Sequence, residues 1–386
     1  MATAKVLTSL LRANGLYELV LYDRLTAEER RALADAAKEP GFYGLLRPAS
    51  PHAGLNPKSV DRDTALLFLT LREPGPLPAY VRTALGDGSA RTIARLVADG
   101  VLEIEHEGAF VSGVAAAGLF QEASAGEGGS GRLAELSRAA LRYGQALAVD
   151  DPLLLSWRLY AYNHRPLTPR WQRLLPSREA VERHLGIAPG EERRKLLDRR
   201  WTPTGSAAWL SWRARSRAAA GSAPAAGPTW KLYVSPLPEA LADGFGAVLE
   251  ALTAGRATHF KVGADAAGLL RPDKIVAYFP TFERLAAAAE VVTRRLDGAP
   301  AQGVPFTSEI GAGGLVSWGV DPADDSARDG ESWRLWLTRR LARALLAARA
   351  AAAEGIEPWQ FAVERLRLEG VDTDTWTPGA LMWRQS

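Results

Sequence analysis

The chain has 386 residues, 47% of them hydrophobic and 24% charged, with a formal net charge of +3. That is length enough for two or three domains with real cores, and a charge too mild to argue by itself for nucleic acid. There is no cysteine, which excludes disulfides, thiolate catalysis and Cys-based zinc sites and makes a reducing cytoplasm the simplest compartment. The absence of any apolar run of about 18 residues, or of a charged-then-apolar N-terminus, argues against a membrane span or a signal peptide.

In chain order, the apolar run at 63–71 (DTALLFLTL) reads as a helix, and 77–85 as a second short one after the Pro74-Gly75-Pro76 break. The stretch 89–99 (SARTIARLVAD) reads as a third, with Ser89 as its N-cap, Ile93, Leu96 and Val97 at helical spacing, and Gly100 as its stop. Residues 101–105 and 109–112 alternate around Glu107-Gly108, a hairpin signal. Helices followed by a two-stranded wing point to a winged-helix-like unit over 1–115. Its last helix offers only Arg91 and Arg95 to a groove, and the wing carries Glu103, Glu105, His106 and Glu107. An acidic wing repels phosphate, so peptide docking or a structural role is expected here rather than nucleic-acid binding.

Residues 123–131 (ASAGEGGSG) read as a linker or exposed loop, 132–149 as an Ala- and Leu-rich helix. The next stretch, 153–171, is dense in rings: Trp157, Tyr160, Tyr162 and Trp171. Two readings stay open for it. One is a buried element packing domains together; the other is an aromatic peptide-binding groove, since rigid rings supply contact area at low entropic cost. The charged run 191–200 (EERRKLLDRR) is a solvated helix face. The second linker, 218–228 (AAAGSAPAAGP), is the cleanest domain boundary.

Beyond it the pattern alternates: strand 230–235, helix 241–254, strand 258–262, strand 274–279, helix 282–296 with Thr281 as N-cap, a Gly-rich region at 304–321, and a long Ala/Arg helix at 331–354. The expected fold class is α+β. A C-terminal mixed α/β domain at 229–386 follows the winged-helix-like unit and a helical, aromatic-rich middle segment at 132–217.

Three of the seven lysines lie on these strands: Lys231 in Trp-Lys-Leu-Tyr-Val-Ser, Lys261 in His-Phe-Lys-Val-Gly and Lys274 in Asp-Lys-Ile-Val-Ala-Tyr-Phe-Pro. Nearly every other cation is Arg. A lysine's pKa falls with burial or beside other cations, so it can act as a base where Arg cannot. Residues two apart on a strand share a face. Lys231 therefore goes with Tyr233, His259 with Lys261, and Lys274 with Tyr278, with Arg271 just ahead. If the strands neighbour one another, one face collects a base and an anion cradle, the requirement for β-elimination of a phosphate ester. The same lysines also fit amphipathic strands with solvated tips. The five histidines are scattered with no HxH or HxxxH pair, so no metal site is expected. The run Gly311-Ala312-Gly313-Gly314 lacks the Lys-Ser/Thr of a P-loop.

The order Trp-Lys-x-Tyr-Val-Ser-Pro, helix, Phe-Lys, Asp-Lys-Ile-Val-x-Tyr-Phe-Pro, helix resembles the phosphothreonine lyase fold over roughly 229–320. That fold occurs in bacterial type III effector lyases and in the lyase domains of class III and IV lanthipeptide synthetases. The chain also looks like the stand-alone lyases of class V lanthipeptide and thioamitide clusters. The resemblance implies a cofactor-free phosphoserine/phosphothreonine lyase. Lys261 would be the general base, and Lys231, Arg271 and Lys274 would bind phosphate. Tyr233 stands where the effector enzymes place a His acid, with His259 as the other acid candidate, and no Arg occurs in 305–320. The implied partners are a phosphorylated precursor peptide and a Ser/Thr kinase. A non-catalytic scaffold binding peptide and kinase, or a winged-helix regulator, is the alternative.

Overall fold

A computed structural model describes residues 2–34, 36–38, 41–50, 55–120, 131–215, 229–321, 331–351, 356–379 and 382. The linker readings at 123–131 (apart from Gly131) and 218–228 (entirely) fall outside the described residues, as does 322–330. The chain is mixed helix and strand and divides into two units. One is Met1–Gly126 with Arg343–Glu369, the other Glu127–Ala342 with Gly370–Ser386. No helix among the described residues is long and apolar enough to cross a membrane.

In the first unit, strands β1 (Leu10–Ala13), β2 (Tyr17–Leu21), β3 (Phe42–Pro48), β4 (Lys58–Asp61), β5 (Gly75–Pro76), β6 (Leu102–His106) and β7 (Ala109–Val111) form two sheets, ordered β5-β1-β6-β7 and β2-β3-β4. Helices Arg62–Thr70, Ala79–Leu85 and Ser89–Ala98 precede the β6–β7 hairpin. That hairpin turns on Glu107 and Gly108, both at positive φ (52° and 84°), as a tight two-residue turn requires. The cap expected at Ser89 is absent: Gly88 occupies the N-cap without a side-chain bond, and Ser89 is buried in the first turn. Asp61 instead caps the earlier helix, accepting the Thr64 N–H at 2.7 Å. The β2-β3-β4 sheet was not legible in the sequence. Its strands are short and lack a clean period-two apolar pattern.

The second unit is built on one antiparallel sheet. Its strands are β8 (Trp201–Pro203), β9 (Trp209–Ala214), β10 (Trp230–Val234), β11 (His259–Gly263), β12 (Ile275–Phe279), β13 (Ser308–Ile310) and β14 (Val316–Val320), ordered β13-β14-β10-β12-β11-β9-β8. A hairpin of β15 (Val371–Asp372) and β16 (Thr377–Pro378) completes the strands. Because β8 and β9 are laid on the edge of this sheet, the middle segment 132–217 is not a domain of its own. Residues 343–369 group with the first unit instead. The three-part division expected from linker composition is corrected accordingly: sheet pairing, not composition, decides which residues belong together.

One sheet face is apolar. Leu232, Val234, Phe260, Val262, Ile275, Ala277 and Phe279 pack beneath helices Leu241–Ala254 and Phe282–Arg295 in one core. Phe260 stacks on Trp212 (4.9 Å) and meets Trp201 edge-on (4.8 Å). Replacing such a ring by Ala costs about 3–5 kcal/mol. Thr281 caps the second helix through the Arg284 N–H, as its sequence predicts. At the end of β11 the chain folds tightly onto the short helix Ala266–Leu269, because Gly263 and Gly268 touch backbone to backbone. A Cβ on Gly263 would lie 2.6 Å from the Gly268 carbonyl oxygen. Asp265 caps that turn at the Gly268 N–H. This turn carries Arg271 and Asp273 up to the second, polar face of the sheet.

Candidate functional site

Strand register assembles the polar face. In one row Lys231 lies opposite Tyr278, Tyr278 opposite His259, and His259 opposite Arg213. In the next, Ser317, Tyr233, Val276, Lys261 and Ser211 line up across five strands. Residues two apart share a face, so both rows look the same way, opposite the apolar core. The strands bearing Lys231, Lys261 and Tyr278 are thus neighbours.

Cations and rings alternate along this face. The Lys231 ammonium lies 5.3 Å from the Tyr278 ring centroid, and the Lys261 ammonium 6.0 Å from the same ring. Lys261 also lies 4.2 Å from the Trp209 centroid, and the Arg271 guanidinium 5.0 Å from that ring. Rings hold cations by their negative faces while replacing water, which keeps the cations close to one another in a poorly hydrated strip. Burial, then the charge of Lys231, pushes the Lys261 amine down to about 8, against the opposing pull of Asp273 and Asp321. Lys231 keeps a carboxylate partner, Asp321 Oδ2, at 2.6 Å.

Beside the strip lies a buried hub. Asp273 receives Nε and Nη2 of Arg271 (2.8 and 2.9 Å), Nη1 of Arg334 (3.0 Å) and the Tyr160 hydroxyl (3.0 Å). Burial opposes its charge, but Arg334 and Arg271 hold its carboxyl well below the usual carboxylate range. Arg334 is itself fully buried. It donates to the Pro305 and Tyr160 carbonyls and stacks on the Tyr160 ring at 4.2 Å. Burial and Asp273 push the Tyr160 phenol up to about 12. The hub clamps Arg271 by one edge of its guanidinium, Nε and Nη2, and sets it over Trp209 next to Lys261.

The third lysine is elsewhere. Lys274 is wholly buried, and its ammonium donates to the Pro236 carbonyl (2.9 Å) and Gln302 Oε1 (2.7 Å). The Gln302 amide in turn donates to the Asn163 and Leu270 carbonyls. Lys274 therefore ties loops together rather than joining Lys231 and Lys261 at the strip. It immediately precedes β12. Burial pushes it down to about 7.

The two acid candidates are also in view. Tyr233 is 3% exposed, and burial raises its phenol well above the ordinary value. His259 packs against Tyr278 with the rings tilted, centroids 4.9 Å apart, and burial with Lys261 and Arg213 pushes it down to about 4, so it is neutral at pH 7. Of the four rings in the middle segment, Trp157 is 53% exposed on helix Pro152–Tyr160, and Tyr162 is half-buried against Tyr143. Tyr160 belongs to the Asp273 hub. Trp171 is 7% exposed and part of the core with Leu175 and Val181, so these four do not line one groove.

Arg334 is the residue that sequence reading missed. It is the second residue of the helix Trp333–Ala351, which reads from its sequence as a long Ala/Arg helix. The signal was local: Arg334 sits in Trp-Arg-Leu-Trp-Leu, an apolar turn in which an arginine is buried only if it is paired.

No protein-family model matches the chain, and no curated protein matches it in sequence. Among solved structures it is similar to the effector protein from Pseudomonas syringae pv. tomato strain DC3000, with a TM-score of 0.38 and 14% identity over 64% of this chain and 98% of that one. It is also similar to the effector protein from Pseudomonas syringae pv. syringae strain 61, with a TM-score of 0.37 and 15% identity over 64% of this chain and 100% of that one.

Proposed function

We propose that the chain eliminates phosphate from phosphoserine or phosphothreonine in a ribosomally made precursor peptide, leaving dehydroalanine or dehydrobutyrine. The observation that carries this reading is the Lys261 amine. It is held beside Lys231 and Arg271 on a ring-lined strip, with its pKa lowered to about 8. With that value about a tenth of Lys261 is uncharged at pH 7, enough to serve as a base.

In the reaction, Lys261 Nζ takes the Cα proton, the C–H electrons form the Cα=Cβ bond, and the Cβ–O bond breaks toward phosphate. Lys231 and Arg271 are the cations for the departing anion. A phosphate leaving from its dianionic ester needs a proton on the leaving oxygen. We assign that donation to the Lys231 N–H groups on the strip, since His259 is neutral at pH 7 and Tyr233 is buried. A partner Ser/Thr kinase supplies the phosphopeptide, and no cofactor takes part.

The test mixes the purified protein with a phosphopeptide and seeks a loss of about 98 Da, the elements of phosphoric acid. Lys261→Ala should abolish the loss while the protein stays folded. A second reading, a scaffold that binds the phosphopeptide without cleaving it, is favoured by the Lys231–Asp321 pair, which already satisfies one of the two strip lysines. It predicts peptide affinity indifferent to Lys261→Ala and no mass loss at any pH.

A further inference from the structure

We infer that Asp321 is an internal competitor for the phosphate subsite at Lys231: an anion reaches the Lys231 ammonium only by exchanging with the Asp321 carboxylate. The inference rests on the phosphoester reading of the strip given above.

Asp321 follows the last residue of β14 and is held from three directions. Its Oδ2 lies 2.6 Å from Lys231 Nζ, its Oδ1 accepts the Trp333 N–H at 3.1 Å, and its own N–H donates to the Thr229 carbonyl at 3.1 Å. The lysine and aspartate side chains are 9% and 21% exposed, so the pair is shielded well beyond an ordinary surface ion pair. The carboxylate also has somewhere to remain after an exchange. The Trp333 N–H belongs to the first turn of the 19-residue helix Trp333–Ala351, an end that favours negative charge.

Exchange then selects by charge. An incoming carboxylate offers Lys231 one negative charge for the one it gives up and gains nothing. A phosphate monoester offers nearly two, and Lys261 and Arg271 stand along the same strip to meet the second. Among the described residues, Tyr278 and Tyr233 also feel the Asp321 charge; both phenols are neutral and do not compete. Asp321 thereby reserves the site for phosphorylated side chains over the Asp and Glu residues of the same peptide.

The test is titration calorimetry of the intact protein with inorganic phosphate and, separately, acetate, at fixed pH and ionic strength. Asp321→Asn keeps the side chain's size and an acceptor for the Trp333 N–H, and a melting curve confirms that it is folded. If the pair holds Lys231 in about nine molecules of ten, it weakens phosphate binding about tenfold. Asp321→Asn should therefore bind phosphate about tenfold more tightly than the parent protein and should gain measurable acetate binding. Equal or weaker phosphate binding in the variant overturns the inference, as does the absence of phosphate binding in both proteins. In the parent protein the carboxyl carbon resonance of Asp321 should move as phosphate saturates the site. Saturation with that resonance unmoved also overturns it. A phosphopeptide that loses no mass, while the exchange behaves as described, sinks the lyase reading and leaves this one standing.

Discussion

Arg334 Nη1 donates to Asp273 Oδ2 across 3.0 Å, with side-chain exposures of 0% and 4%. Neither group reaches bulk water, so each must find its partners inside the protein. Asp273 has further donors in Arg271 and Tyr160, and Arg334 has the Pro305 and Tyr160 carbonyls. Arg334→Met removes the fully buried cation and leaves Asp273 short of one charge-assisted bond. Breaking a buried pair from one side typically costs about 3–5 kcal/mol, and the remaining donors should hold the loss to the lower end of that range. Thermal or urea unfolding of the purified variant measures it. A change within experimental error would show that the hub does not hold this part of the unit together.

Lys274 makes stability depend on pH in an uncommon direction. Its ammonium is buried against two neutral acceptors, and its pKa falls from the ordinary 10.5 to about 7 on folding. Between those values the unfolded chain binds a proton that the folded chain does not, so stability rises with pH through the window. Below about 7 both states carry the proton and the full penalty of the buried charge applies. Lys261, lowered to about 8, adds a smaller effect of the same sign. Lys274→Met should flatten the rise in unfolding free energy between pH 7 and 10, by an amount on the order of 3–4 kcal/mol. The measurement is urea unfolding at several pH values, and an unchanged slope in the variant would remove Lys274 as its source.

Trp157 and Trp171 come from one aromatic-rich stretch but meet different surroundings. Trp171 is packed in the main core, so Trp171→Ala should cost about 3–5 kcal/mol and lower the melting temperature by several degrees. Trp157 is 53% exposed, with an edge contact to Tyr160 at 5.7 Å. Trp157→Ala should change stability by no more than about 0.5 kcal/mol. If Trp157 anchors peptide, the same variant weakens phosphopeptide binding. Equal losses of stability in the two variants would contradict this division.

How much of this was legible follows from what kind of information each feature needs. The strand and helix from 230 to 254 and the strand and helix from 275 to 295 were readable from periodicity. Each has one apolar face, and Thr281 caps its helix as its residue type dictates. The shared face of Lys231 and Lys261 followed from strand alternation once the strands were neighbours, which only the pairing of β10, β12 and β11 shows. The fate of Lys274 was not readable. It has the same alternation phase as Tyr278, but its ammonium partners come from positions 236 and 302, distant in sequence. The same limit hid Arg334 and Asp321, whose partners lie 61 and 90 positions away, and β9, whose short run ends against a low-complexity stretch. Local pattern gives an element its face; the charge partners on that face are a property of topology.

Lys261 is where the functional reading is most exposed to measurement. Its amine is lowered to about 8 by burial first and by Lys231 second. Elimination needs the uncharged amine, so the rate at limiting substrate should climb tenfold per pH unit below about 8 and level off above it. Lys261→Ala should lower turnover by at least a factor of about 10² and leave the melting temperature nearly unchanged, since the residue is only partly buried and makes no ion pair among the described residues. The cause of the lowered value has its own test, independent of catalysis. Lys231→Met removes the neighbouring positive charge but also frees Asp321, whose carboxylate then acts on Lys261 unneutralised. Both changes raise the Lys261 pKa, and a nitrogen-15 titration of the lysine side chains should place it clearly above its value in the parent protein. A Lys261 that titrates near 10.5 in the parent protein, or that does not respond to Lys231→Met, would leave the strip without its base.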